Sequence, residues 1–239
     1  MNTPRQTTRP PLLEVRDLSL SFHLQEQIAV DRVSLSIRHG STLGLVGASG
    51  AGKSSVARAI LQLTKPDSGE ILFKGKNIFR MNPLELKASR QRIQLVFQDP
   101  SASLSPRRTV EQTLLEPLQH FAIGDAKFRR KKLMQILDTV GLDQRALKRY
   151  PHQFSSGQQQ RIAIARALIT DPELLIADEA VSSLDVSIQA QILQLIQMLQ
   201  KDLGITFLFI SHDLAVIRQI ADDVAVMYQG QLMELSSAD

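Results

Sequence analysis

Two short clusters in this chain carry residue types that can do chemistry together. The first is Gly47-Ala48-Ser49-Gly50-Ala51-Gly52-Lys53-Ser54, with Ser55 directly after it. Glycines let a backbone curl until several N–H groups converge on one anion. A lysine beside them adds a compact cation for the β- and γ-phosphates of a nucleotide, and a hydroxyl adds an oxygen ligand for Mg²⁺. Lys53 and Ser54 are the residues for those two tasks. The second cluster is Leu174-Leu175-Ile176-Ala177-Asp178-Glu179, an apolar run ending in two carboxylates. On its own it reads equally well as a strand running into an acidic loop. Beside a phosphate loop, Asp178 is placed to hold Mg²⁺, directly or through water, and Glu179 to orient or deprotonate an attacking water.

Such residues work only if rigid elements hold them. Thr42–Val46 reads as an apolar strand entering the glycine-rich loop, and Val56, Ile60 and Leu63 mark one side of a helix leaving it. A helix N-terminus placed there adds its positive dipole end to the anion site. Leu13–Leu18 and Val30–Ile37 alternate apolar and polar residues, as half-buried strands do. Further strands are expected at 70–74, 93–97, 174–177, 205–210 and 224–227. Signals from Asp99 to about Arg149 are mainly helical, and a long helix is expected after Gly157. Ile188, Ile192, Leu195, Ile196 and Leu199 form an amphipathic stripe. Alternating strands and helices indicate an α/β sheet.

The whole chain narrows the function classes. It has 239 residues, 43% hydrophobic and 22% charged, as an ordinary globular protein does. It has no cysteine, which excludes disulfides, thiolate metal sites and a cysteine nucleophile. The net charge of +4 is too small to argue for nucleic acid or an anionic membrane. The basic run Lys127, Arg129, Arg130, Lys131 and Lys132 sits beside Leu133, Ile136, Leu137 and Val140 at helical spacing and reads as a solvated helix face. No apolar stretch approaches the ~20 residues that span a bilayer. The polar, proline-bearing start lacks the apolar core of a secretory signal, so a cytoplasmic protein with a loose tail over 1–11 is expected.

Many enzymes have phosphate loops, and other segments discriminate among them. Phe154-Ser155-Ser156-Gly157-Gln158-Gln159-Gln160-Arg161 resembles the signature segment of the ATP-binding cassette (ABC) family. Ser182-Ser183-Leu184-Asp185 is similar to its D-loop, Ser211-His212-Asp213 to its switch histidine and Val96-Phe97-Gln98-Asp99-Pro100 to its Q-loop. The order and spacing match across nearly the whole chain. The resemblance implies a phosphate-loop NTPase core with a mostly parallel sheet, an antiparallel β subdomain and an inserted helical subdomain, all in one domain over 12–239. The core would cover 12–98 and 158–239 and the helical part about 99–157. It also implies ATP and Mg²⁺ as cofactors, with Gln98 contacting Mg²⁺ or the attacking water and His212 sensing the γ-phosphate. Ser155 and Gln158 have capping-box spacing, so they open a helix. In the family that helix end meets the γ-phosphate held by an opposite subunit. Phe22 stands where the family carries an aromatic stacked on adenine, although core packing would use the same residue type.

Asp99-Pro100-Ser101-Ala102-Ser103-Leu104-Ser105-Pro106-Arg107-Arg108-Thr109-Val110 resembles the stretch after the Q-loop in bacterial importers of oligopeptides, dipeptides and nickel complexes. Leu115-Glu116-Pro117-Leu118 and Tyr150-Pro151-His152-Gln153 agree with it. This branch implies two transmembrane permease subunits, an external substrate-binding protein, no nucleic acid and a place on the cytoplasmic face of the inner membrane. An exporter, DNA-repair or translation ATPase would share the nucleotide motifs. Against a DNA-repair ATPase, the insert is modest and shows no sustained heptads; against an exporter, only the stretch after Gln98 argues. One departure is Ser156, where the signature usually has glycine; it favours a heterodimer with a second, different ATPase, with a homodimer as the alternative. The other is an end soon after Gln231-Leu232-Met233-Glu234, where many relatives continue.

Overall fold

The computed structural model describes residues 10–22 and 27–238. The tail expected over 1–11 therefore lies, for its first nine residues, outside the described residues. In chain order the structure runs through β1 (Leu13–Phe22), β2 (Gln27–Ile37), β3 (Thr42–Val46), α1 (Lys53–Ile60), β4 (Ser68–Phe73) and β5 (Lys76–Asn77). It continues with α2 (Pro83–Arg92), β6 (Ile93–Val96), α3 (Pro100–Ser103), α4 (Val110–His120), α5 (Ala126–Val140) and α6 (Ser156–Leu168). The last elements are β7 (Leu174–Asp178), α7 (Val186–Leu203), β8 (Thr206–Ser211), α8 (Leu214–Ile220), β9 (Asp223–Tyr228) and β10 (Gln231–Ser237).

Two sheets result. The first, ordered β2-β1-β4-β5, is antiparallel throughout. The second is ordered β10-β9-β3-β8-β7-β6 and is parallel from β9 to β6, with β10 antiparallel at one edge. Every residue of β3 and of β8 is buried, as befits central parallel strands covered on both faces. Gly44 has no side chain because α8 packs directly on β3: a Cβ there would stand 2.3 Å from Cγ2 of Ile217. The antiparallel strands begin in the expected alternation. They shift register around Asp17, whose φ of 47° marks an irregularity that the alternation does not announce.

The helical segments after β6 build no core of their own. Val110, Leu114 and Leu118 of α4 and Leu133, Leu137 and Val140 of α5 join one apolar cluster with Ile164 of α6, Ile192 and Ile196 of α7, and Phe207 and Phe209 of β8. α6 is the link, since it packs on α3, α4, α5, α7 and β6. The side chains of the central parallel strands thus reach both this cluster and a second one formed with the antiparallel sheet and α1.

Candidate nucleotide site

β3 ends at Val46 and the chain turns through Gly47–Gly52 into α1. Two glycines in the turn are sterically required. A Cβ on Gly47 would stand 2.2 Å from the carbonyl oxygen of Met227, and one on Gly52 (φ +100°) 2.2 Å from that of Ala29. Gly52 caps α1 without any side-chain hydrogen bond, so the first-turn N–H groups are left to a ligand or solvent. Lys53, only 4% exposed, folds its ammonium back and donates to the carbonyls of Gly47 at 2.7 Å and Ala48 at 2.9 Å. Burial pulls the Lys53 pKa below its ordinary 10.5, and the nearby negative charges of Glu179 and Asp178 oppose that pull.

Two carboxylates face this loop from the end of β7. Asp178 accepts a hydrogen bond from Oγ of Ser54 at 3.1 Å. Burial raises its pKa above the usual 3.8. The Ser54 hydroxyl works against that shift, while the Glu179 charge adds to it. Glu179 takes φ +51°, a left-handed backbone that turns the chain sharply off the strand, and its N–H donates to the carbonyl of Ile210 at 3.0 Å. A sparsely populated conformation at a carboxylate between two central strands marks a position held by its surroundings. A cleft of about 470 Å³ is lined by Ala29, Ser49, Gly50, Ala51, Gly52, Lys53, Ser54, Ser55, Gln98 and Glu179. It offers backbone N–H groups, one buried cation, three serine hydroxyls around the helix start and carboxylate oxygens. Such a donor set fits a nucleotide polyphosphate with a hard divalent cation.

Other expected site residues lie at varying distances from this cleft. Gln98, exposed just beyond β6, lines it, and its carbonyl takes a long contact of 3.4 Å from Oγ of Ser183. His212 follows β8 and sets Nδ1 3.5 Å from Oε1 of Glu179. Ser182 folds its hydroxyl onto the carbonyl of Glu179 at 3.0 Å, Leu184 is buried, and Asp185 caps α7 by accepting from the N–H of Ile188 at 3.0 Å. Phe22 ends β1 opposite Gln27; its side chain lies outside the described residues.

Ser155–Gln158 are not part of the cleft lining. They form the start of α6. Ser155 and Gln158 exchange hydrogen bonds, the Gln158 N–H to Ser155 Oγ at 3.4 Å and the Ser155 N–H to Gln158 Oε1 at 3.1 Å. Ser156 is exposed and Gly157 buried. The smallness of Gly157 serves packing: a Cβ would meet Cγ2 of Ile188 at 2.5 Å. Sequence reasoning missed this contact, and it missed Ala29, whose carbonyl walls the loop from the other sheet. Neither residue has a local pattern to reveal it, because each acts through a partner distant in the chain.

Comparison with known proteins agrees with this geometry. The family described as "ABC transporter" matches residues 30–182. The oligopeptide transport ATP-binding protein AppF of Bacillus subtilis is 48% identical over 235 residues, 94% of this chain and 71% of that protein. The oligopeptide transport ATP-binding protein OppF of Lactococcus lactis is 47% identical over 232 residues, 93% of this chain and 73% of that one. Among solved structures, the ATP-binding cassette MJ0796, in a dimeric post-hydrolysis state bound to ADP and Pi, superposes with a TM-score of 0.84. It is 29% identical, and the match covers 95% of this chain and 99% of that one. With a phosphate loop, a strand-end carboxylate pair and a capped signature helix on this two-sheet frame, the chain belongs to the ABC transporter family, as its ATP-binding and ATP-hydrolysing cassette.

Proposed function

We propose that this chain drives a bacterial peptide importer by hydrolysing ATP, at the cytoplasmic face of the membrane, where permease subunits hold it. The observation that carries the reading is the cleft that gathers Lys53, Ser54, Gln98 and Glu179, with Asp178 behind Ser54, in a chain 48% identical to an oligopeptide transport ATP-binding protein. Among the described residues no helix is long and apolar enough to cross a membrane.

Each residue has a task in this reading. Loop N–H groups and Lys53 bind the β- and γ-phosphates, exchanging the Gly47 and Ala48 carbonyls for phosphate oxygens. Ser54 and Asp178 would hold Mg²⁺, which neutralises phosphate charge when bound with the nucleotide. Glu179 orients the attacking water and takes its proton, and Gln98 and His212 flank that water and the γ-phosphate. Phe22 is assigned to adenine. Ser155, Ser156, Gly157 and Gln158 serve the nucleotide of an opposite subunit, and Ser182, Leu184 and Asp185 line the joint between the two. Two sites are then completed only when two cassettes close, so pre-organisation arrives with ATP.

Ser156 favours a second, different ATPase as the partner, with unequal sites; an unchanged ATPase rate of the assembled transporter on Ser156→Gly would remove that argument. A groove of about 550 Å³ between β6, α4 and α6 is lined by Leu63, Phe97, Pro117 and Phe121, and Phe97 is 47% exposed. It supports docking of the permeases on the helical side. Tagged Glu179→Gln chain, captured with Mg·ATP from detergent-solubilised membranes of its own host, should bring down two polytopic membrane proteins and a related ATPase. Recovery of ribosomes or DNA-repair proteins instead would leave the ATPase standing and sink the transporter.

A further inference from the structure

One buried polar group has no role in the chemistry above. Gln160 of α6 is fully buried, and among the described residues neither its Oε1 nor its Nε2 has a hydrogen-bond partner. Buried side-chain amides are nearly always paired, so two unpaired ends on one side chain call for an explanation.

Helix geometry fixes the arc of α6 from which the Gln160 side chain leaves. At about 100° per residue, Gln160 falls between two faces of α6. On one side is Gly157, packed against Ile188 of α7; on the other are Ala163 and Ala167, which line the groove with Phe97 and Ser103. α6 packs on both α3 and α7, and the segments leading into those two helices form a seam. Its two backbone segments, the one leading from Gln98 into α3 and the one leading from Glu179 into α7, already touch through Ser183 Oγ and the Gln98 carbonyl at 3.4 Å. α6 also carries the reciprocal Ser155–Gln158 cap one turn earlier. A pull on that cap is therefore passed along a stiff helix to Gln160.

We propose that Gln160 is a positioning residue for hydrolysis. Its carboxamide takes backbone partners in the seam between Gln98 and Asp185 when a nucleotide on an opposing cassette draws on the N-terminus of α6. Closure pairs a group that the resting subunit leaves unpaired, so pairing favours the closed state and sets Gln98 and Glu179 relative to each other. This inference rests on the closed-dimer reading above.

The test uses Gln160→Met, close in length and volume but without the amide, and Gln160→Leu, which removes the amide in a different shape. Both are placed in the tagged chain and purified as the complex captured from membranes. In both, the ATP concentration for half-maximal hydrolysis should rise roughly tenfold, the scale of one lost hydrogen bond. The isolated chain should bind ATP as before, and its nucleotide-free melting temperature should hold or rise. A fall in that melting temperature in both variants means that the resting amide is already paired, by an ordered water or otherwise, and overturns the proposal. Unchanged ATP dependence overturns it as well. An unsubstituted complex that fails to hydrolyse ATP would instead sink the reading beneath it.

Discussion

Nδ1 of His212 stands 3.5 Å from Oε1 of Glu179, with the imidazole side chain 56% exposed and the carboxylate 20%. The pair spans the ends of the neighbouring strands β8 and β7, whose register sets Asp178 beside Ile210. Glu179 lines the cleft, while His212 is the more exposed of the two.

Replacing Glu179 by Gln keeps the shape and the Ile210 backbone bond but removes the carboxylate proposed as the base. Turnover of the complex should fall by about 10² to 10⁴, the usual span for general-base catalysis. ATP affinity should change little, because Lys53 and the loop N–H groups are untouched. Steady-state ATPase assays paired with nucleotide-binding titrations separate the two, and equal turnover would remove Glu179 from the chemistry.

Gly157→Ala places a methyl 2.5 Å from Cγ2 of Ile188. Overpacking of this kind costs about 1–3 kcal/mol, read as a lower denaturant midpoint. Adding Ile188→Ala should recover part of the loss, because the clashing methyl goes. If Gly157→Ala melts like the parent, the glycine is not held by packing against α7.

At the adjacent positions the effects should diverge. Ser155→Ala removes the reciprocal cap and should cost about 1 kcal/mol of stability. Ser156→Gly, at an exposed first helical position, should cost well under that. Chemical denaturation of the isolated chain at one pH compares them directly, and a larger loss at Ser156 would contradict the assignment of the cap.

Asp178 carries a pH signature. Burial raises its folded pKa above the unfolded value of about 3.9. The folded chain therefore holds the proton more tightly. Below the unfolded value the acid is neutral in both states and nothing is lost. Stability falls as pH rises from there through the folded pKa, and above that the loss is complete. Asp178→Asn has no such loss and can still accept from Ser54. The nucleotide-free variant should melt above the parent near neutral pH, with the gap closing below about pH 4. A gap that widens in acid would reverse the sign and refute the burial effect.

Much of the frame was legible because parallel strands buried on both faces read as apolar runs. Thr42–Val46 stands as expected, while the strand expected at 174–177 gains Asp178 and the one at 205–210 is displaced by one residue. The hidden elements lack apolar pattern. α2 buries only Ser89, and its one local sign is the Asn82-Pro83-Leu84-Glu85 start, where Asn82 and Glu85 form a capping box. β10 is mostly exposed and is held by pairing with β9, which no local sequence encodes. At the site, the loop residues and carboxylates were readable from type and spacing. The Ala29 wall and the Gly157–Ile188 contact arise only when distant segments meet.

The most direct measurement is uptake of a labelled peptide into proteoliposomes that hold the captured complex, with ATP enclosed on the cassette side and the external binding protein supplied outside. The account predicts ATP-dependent accumulation with the unsubstituted chain and none with Glu179→Gln. Peptide driven outward, or equal accumulation with the Glu179→Gln chain, would contradict it.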